Sequence, residues 1–155
     1  MVDADILVVD DSLLVREMHQ RILFSSGYRV ETASSGKAAL DRLSGKRFHV
    51  VVASARMAGM DGIQLLEEAR KTDFTQDLPF ILVASKEHKE DLVRARAAGA
   101  KGCVTREEFT PDRMAAMIGS VLGRGVGGLR SLRHRETLSA FWSSMTLLPS
   151  APSSA

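Results

Sequence analysis

Five short apolar runs, each followed by a stretch of helical periodicity, constrain this chain more than any other feature. Ile6 to Val9, Tyr28 to Thr32, Phe48 to Ser54, Pro79 to Ala84 and Lys101 to Thr105 have the length and composition of strands. Val50, Val51 and Val52 stand in succession, which implies burial on both faces, as in a parallel sheet covered by helices. Between the runs, apolar residues recur at helical spacing. Leu13, Leu14, Met18, Ile22 and Leu23 form one stripe. Ala38, Ala39 and Leu43 form a second; Ile63, Leu65, Leu66 and Ala69 a third. A fourth helix is expected over His88 to Ala98, and Met114, Met117, Ile118, Val121 and Leu122 mark the fifth. Ser12, Ser35, Asp61 and Thr110-Pro111 supply start signals, and Gly27, Gly45 and Gly99 supply stops.

Five strands alternating with five helices in about 120 residues predict a doubly wound α/β domain with a five-stranded parallel sheet. The fifth strand is expected at an edge. In such sheets functional groups gather at the carboxyl ends of the strands, near the point where strand order reverses. Asp10, Asp11, Ser54, Ala84 and Arg106 all fall at or just beyond strand ends.

Composition narrows the class. Of 155 residues, 45% are hydrophobic and only four are proline, which suits a folded globular domain. The N-terminus lacks the pattern of a secretory signal, and no apolar run approaches the ~20 residues of a membrane span. One cysteine, Cys103, excludes an internal disulfide. A cytoplasmic location is the expectation. Residues 1–123 carry 17 Lys/Arg and 18 Asp/Glu, and residues 124–155 carry four Arg and one Glu. The basic excess therefore lies in the tail, and the domain offers no evident nucleic-acid face.

The expected division is a domain over 1–123, a Gly-rich linker at 124–128, and a basic, amphipathic and partly disordered tail over 129–155. Gly123-Arg-Gly-Val-Gly-Gly128 has the G-x-G-x-x-G spacing of a dinucleotide fingerprint. That motif needs a preceding strand and a following helix. Here a helix precedes and no later strand is evident, so the match is rejected. In the tail, Leu129, Leu132, Leu138, Phe141, Trp142 and Met145 recur near helical spacing, with Arg130, Arg133 and Arg135 interleaved. Such a segment can dock on the domain, on a partner or on a membrane surface.

Several features occur together in fixed order: Ile6-Leu-Val-Val-Asp-Asp-Ser12, the Met57-Ala-Gly-Met-Asp-Gly62 loop, Phe80-Ile-Leu-Val83 and Ala98-Gly-Ala-Lys-Gly102. Over residues 5–122 the chain resembles the response-regulator receiver domains, nearest in flavour to those of chemotaxis type. The resemblance implies a flavodoxin-like (βα)5 fold and a role in two-component signalling. It also implies a site in which an acidic pair and an acceptor aspartate hold Mg²⁺, a lysine neutralises the phosphoryl group, and a Thr/Ser and an aromatic residue report it.

By that resemblance Asp10 and Asp11 keep the acidic pair, and Ser54 stands at the acceptor position. Ala84 takes the switch hydroxyl's place, with Ser85 one residue later. Cys103 stands at the aromatic position, where it also reads as a small buried hydrophobe. Arg106 takes the lysine's place, followed by Glu107 where a proline after a cis bond is usual, so a trans bond is expected. Ala58 replaces a loop proline, a change expected to loosen the loop.

A serine hydroxyl needs a general base and gives a stable ester rather than a labile acyl phosphate. His19, His49, His88 and His134 read as surface or packing residues and supply no such base. The expectation is therefore a phosphorylation-independent pseudo-receiver, not an enzyme. It requires no cofactor and keeps at most weak Mg²⁺ binding at Asp10 and Asp11, with Arg106 pairing the two carboxylates in the metal's stead. Its expected partner is a signalling protein, either a histidine kinase, an output domain or another regulator, bound through the face of residues 88–122. The competing readings are a working Mg²⁺-dependent phospho-receiver with atypical residues and an adaptor acting through the arginine-bearing tail.

Overall fold

The computed structural model describes residues 4–123. Five parallel strands are β1 (Asp5–Val9), β2 (Arg29–Ala33), β3 (Val50–Ser54), β4 (Phe80–Ala84) and β5 (Gly102–Thr105). Five helices are α1 (Leu13–Ser25), α2 (Gly36–Gly45), α3 (Gly62–Ala69), α4 (Glu90–Ala97) and α5 (Pro111–Val121). The sheet order is β2-β1-β3-β4-β5, so β5 lies at an edge as expected, and the order reverses between β1 and β3. The expected linker and tail lie outside the described residues.

The caps follow the sequence signals. Ser12, Ser35 and Thr110 each accept a backbone N–H of the first helical turn. Asp61 and Gln64 form a reciprocal capping box on α3. The fourth helix is shorter than its periodicity suggests. A 3₁₀ turn over Lys86–His88 precedes it, capped by Ser85, and α4 begins only at Glu90.

Two cores flank the sheet. Leu43 of α2, Ile63, Leu65 and Leu66 of α3, and Leu92 and Ala95 of α4 pack on one face against Leu7, Val9, Val51, Phe80 and Leu82. Leu23 of α1 and Met114, Met117, Ile118 and Val121 of α5 pack on the other against Ile6, Val8, Val50, Val52 and Val83. Every residue of β3 is buried, which is the physical meaning of its uninterrupted valines.

The α1 stripe is corrected. Leu23 is buried and Ile22 half-buried, but Leu13, Leu14 and Met18 are 60%, 70% and 50% exposed. The side of α1 that faces the sheet is marked by His19 and Leu23 instead. His19 is buried and stacks on Phe109, with centroids 3.8 Å apart and rings 6° from parallel. Hydrophobicity alone misassigns this helix because an imidazole fills a core position while leucines face water.

At the β2 edge, Arg29 pairs with Asp5, and Arg42 and Lys46 both contact Glu31. These ion pairs lie along the outermost strand.

Candidate functional site at the carboxyl edge of the sheet

Register places the site. Val9 of β1 lies beside Ala53 of β3, and Ser54 beside Val83 of β4. Ala84 lies beside Thr105, which precedes Arg106. Asp10, Asp11, Ser54, Ala84 and Arg106 are thus brought to one edge, at and beside the strand-order reversal.

Asp10 is 1% exposed. Its Oδ1 accepts the Ser12 N–H at 2.9 Å, while Oδ2 is buried without a partner. Burial raises its pKa above the ordinary carboxylate value, although the Ser12 bond and the nearby Arg106 charge oppose that rise. Arg106 does this through space: no described hydrogen bond or ion pair joins it to Asp10 or Asp11, so the expected direct pairing is not observed. The Arg106–Glu107 peptide is trans, as expected, and a 3₁₀ turn over Arg106–Glu108 follows β5. Glu108 Oε1 holds that turn by accepting the Thr105 N–H at 2.9 Å.

Asp11 is exposed, and its Oδ2 accepts the Ala58 N–H at 2.9 Å. Ala58 therefore ties the β3–α3 loop rather than loosening it, because alanine has the N–H that proline lacks. Ser54 is 2% exposed and its hydroxyl donates to the Arg56 carbonyl at 3.0 Å. Behind it Gly62 passes so close that an added Cβ would lie 2.2 Å from the Ser54 carbonyl oxygen. The start of α3 can approach β3 only with glycine there.

Ala84 is buried in the core. Ser85 lies beyond the strand, accepts the Glu87 N–H and donates to the Glu87 carboxylate. Cys103 is fully buried, and burial pushes its thiol well above the ordinary range. It packs as a small hydrophobe.

One cluster was missed in the reading of the residues. Asp91, at the first turn of α4, is fully buried. Arg56 Nε donates to its Oδ2 at 2.7 Å, and Arg94 Nη1 donates to its Oδ1 at 3.1 Å. Arg56 also reaches Glu90. This clasp joins the β3–α3 loop to α4. Two pairing residues 35 positions apart leave no periodic trace. The one available signal was an always-charged side chain inside Ala55-Arg-Met-Ala-Gly59. Ser54, Arg56, Val83, Ser85, His88, Asp91 and Arg106 line a cavity of about 300 Å³.

Mg²⁺ takes oxygen ligands in near-octahedral geometry, commonly one or two carboxylates with waters. Among the described residues, Asp10 Oδ2 is the one buried carboxylate oxygen without a partner. Asp11 has given an oxygen to Ala58, and the Ser54 proton points at Arg56. Among the described residues no group of three or more His, Cys, Asp or Glu could hold a metal ion. The residues do not fit a Mg²⁺ centre of the kind the resemblance implies.

The comparisons with known proteins agree on the fold. The family model described as "Response regulator receiver domain" matches residues 6–119. Response regulator MprA of Mycolicibacterium vanbaalenii is 33% identical over 119 residues, covering 77% of this chain and 50% of that protein. The phosphate regulon transcriptional regulatory protein PhoB of Escherichia coli is 28% identical over 119 residues, covering 77% and 52%. The chain thus spans about half the length of these curated relatives. Among solved structures, chemotaxis protein CheY4 of Vibrio cholerae superposes with a TM-score of 0.71 at 29% identity, covering 78% of this chain and all of that one. A response regulator structure from Chloroflexus aurantiacus gives 0.74 at 25% identity, covering 79% and 100%.

Proposed function

This chain belongs to the response regulator receiver domain family, and on that footing we propose that it is a phosphorylation-independent pseudo-receiver, a non-enzymatic protein-interaction module of bacterial two-component or chemotaxis-like signalling. The observation that carries this reading is Ser54. At the end of the central strand, where the family's acceptor carboxylate is expected, stands a buried hydroxyl whose proton is committed to the Arg56 carbonyl. Phosphoryl transfer of this kind needs a carboxylate nucleophile and cations around the transferred group. Here the nucleophile is replaced, Ala84 offers no hydroxyl, and Asp10 and Asp11 are a vestigial pair.

The surrounding bonds support a single resting arrangement. Ser54, the Arg56–Asp91 clasp and the Ala58–Asp11 bond all restrain the same loop. A partner signalling protein would then read a fixed surface, with residues 88–122 as its proposed face. On that face Val93 is 55% exposed and Arg96 is exposed.

Incubation with acetyl phosphate and Mg²⁺, followed by intact mass spectrometry, tests the reading. No adduct is expected. An acid-labile phosphoryl adduct would establish the second reading, a phospho-receiver with atypical residues, which the unpartnered Asp10 Oδ2 favours. Ser54→Asp alone is expected not to restore switching, because the readout hydroxyl and aromatic are absent too.

A further inference from the structure

The cavity beside Ser54 carries a charge that its own walls do not balance. Its floor is buried: Ser54 is 2%, Val83 1% and Asp91 0% exposed. Asp91 is the acid on its wall, and both of its oxygens are already taken, Oδ2 by Arg56 Nε at 2.7 Å and Oδ1 by Arg94 Nη1 at 3.1 Å. Two exposed arginines, Arg56 and Arg106, line the same cavity. Arg56 spends Nε and Nη2 on Asp91 and Glu90 and leaves Nη1 unbonded. Among the described residues, none forms a hydrogen bond or ion pair with Arg106.

That imbalance selects an anion. Two guanidinium groups on one cavity repel each other, and a negative ligand between them relieves both. A cleft with an excess of one charge over a buried floor also concentrates counter-ions. Its place is where open α/β sheets bind ligands, at the carboxyl ends of β3, β4 and β5. Size selects the kind of anion. The volume of about 300 Å³ is the lower bound of small-molecule sites, about 300–1,000 Å³. It equals roughly ten waters at ~30 Å³ each, more than one tetrahedral ion fills. The planar fork of arginine matches a carboxylate through two parallel bonds, and buried Val83 offers an apolar floor to a short carbon chain.

We propose that this cavity reversibly holds a small organic carboxylate, with the carboxylate on Arg106 and Arg56 Nη1 and the carbon chain toward Val83. The inference rests on the pseudo-receiver reading above: a ligand that binds and leaves takes the place of a phosphoryl group that Ser54 does not accept. Arg106 follows β5, and Arg56 is clasped to α4. A bound carboxylate therefore ties the end of β5 to the α4 side, and its presence is felt at the proposed partner face, residues 88–122.

Sodium butyrate is the probe, titrated into the isotope-labelled full chain with ionic strength held constant by sodium chloride. Saturable amide NMR shifts are expected at Ser54, Arg56, Ser85 and Arg106. Arg106→Gln should weaken binding about tenfold, through loss of a charge-assisted bidentate contact. Arg106→Lys should recover it only in part, because a point charge lacks the fork. Lys101→Gln, exposed and off the cavity, should leave it unchanged. Arg106 is exposed, so its variants are expected to keep the wild-type far-ultraviolet circular dichroism. Inorganic phosphate binding more tightly than butyrate at the same amides overturns the carboxylate assignment. Shifts that stay linear to high butyrate, or that Arg106→Gln leaves intact, overturn the site. The acetyl phosphate experiment separates the two readings. An acid-labile adduct overturns the pseudo-receiver and this inference with it, whereas no adduct and no saturable butyrate shift overturns this inference alone.

Discussion

Two aspartates are buried at the same edge of the sheet, and they are held in opposite ways. Asp91 is gripped by Arg56 and Arg94, with both oxygens bonded. Asp10 has one oxygen on the Ser12 N–H and the other on nothing. Arg106 and Arg16 act on that carboxyl only through space, Arg16 donating instead to the Asp10 backbone carbonyl at 2.6 Å. A buried carboxylate is costly unless paired, so the molecule has placed its counter-charges on the α4 side and left the β1 side under-compensated. The difference teaches where rigidity lies: the β3–α3 loop is fixed to α4 by contact, whereas the acidic pair keeps an unused capacity for a cation or a proton.

The largest effect expected from this asymmetry is acid sensitivity on the β1 side. His19 is held neutral by burial and by the Arg106 charge, its pKa lowered from 6.5 to about 4. The unfolded chain then binds a proton that the fold refuses, so stability falls as pH drops from 6.5 toward 4. The loss reaches roughly 3 kcal/mol across that window. Urea unfolding at stepped pH should show this slope, and His19→Phe, which keeps a ring on Phe109, should flatten it. A wild-type midpoint constant from pH 6.5 to 4 would contradict the account.

Next is the α4 side. Asp91→Ala removes a carboxylate bonded by two arginines and is expected to cost about 2 kcal/mol in urea unfolding. It should also release the loop, seen as faster amide exchange at Arg56 and Met57. Unaltered exchange there would mean that the clasp does not restrain the loop.

The opposite sign is expected at Asp10. Asp10→Asn keeps an acceptor for Ser12 and removes the buried charge, so it should stabilise the fold by about 1 kcal/mol at pH 7. Because the folded pKa is raised, the cost of the charge is present above that raised value and disappears as pH falls below the ordinary one. The gain from the substitution should vanish in acid. Destabilisation at neutral pH would show that Asp10 has a counter-ion in solution.

The smallest effect belongs to the bond between the two sides. Ala58→Pro removes the N–H on Asp11 and should cost under about 1 kcal/mol. By freeing that oxygen it should strengthen Mg²⁺-dependent NMR shifts at Asp10 and Asp11. Identical titrations in both proteins would show that Ala58 has no part in closing the pair to metal.

Much of this arrangement was legible in the residues. The valine run of β3, the serine and threonine caps and the Asp61–Gln64 box are local signals, and the elements they imply formed within a few residues of their expected ends. Strand-end placement then brought Asp10, Asp11, Ser54, Ala84 and Arg106 to one edge without any contact being known. What was hidden depends on distance in sequence. The Arg56–Asp91 clasp and the Ala58–Asp11 bond tie the β3–α3 loop to α4 and to the end of β1, segments that only the folded sheet makes neighbours. The α1 stripe misled because amphipathic spacing shows that a helix has an apolar side without showing which side meets the sheet. There His19, stacked on Phe109, decides the orientation. At Ala58 the expectation followed the ring that was lost and overlooked the N–H that was gained.

The ion pairs along β2 have a consequence for crowding. An outer strand exposes unpaired backbone groups that a neighbouring chain could extend. Here Arg29, Glu31, Arg42, Lys46 and Asp5 lace that margin with charge. A strand arriving from another molecule would have to strip water from these groups and break their pairings before gaining its first ladder bond. Sheet-to-sheet polymerisation through β2 is thereby disfavoured at high protein concentration, and encounters between copies are steered toward the helices.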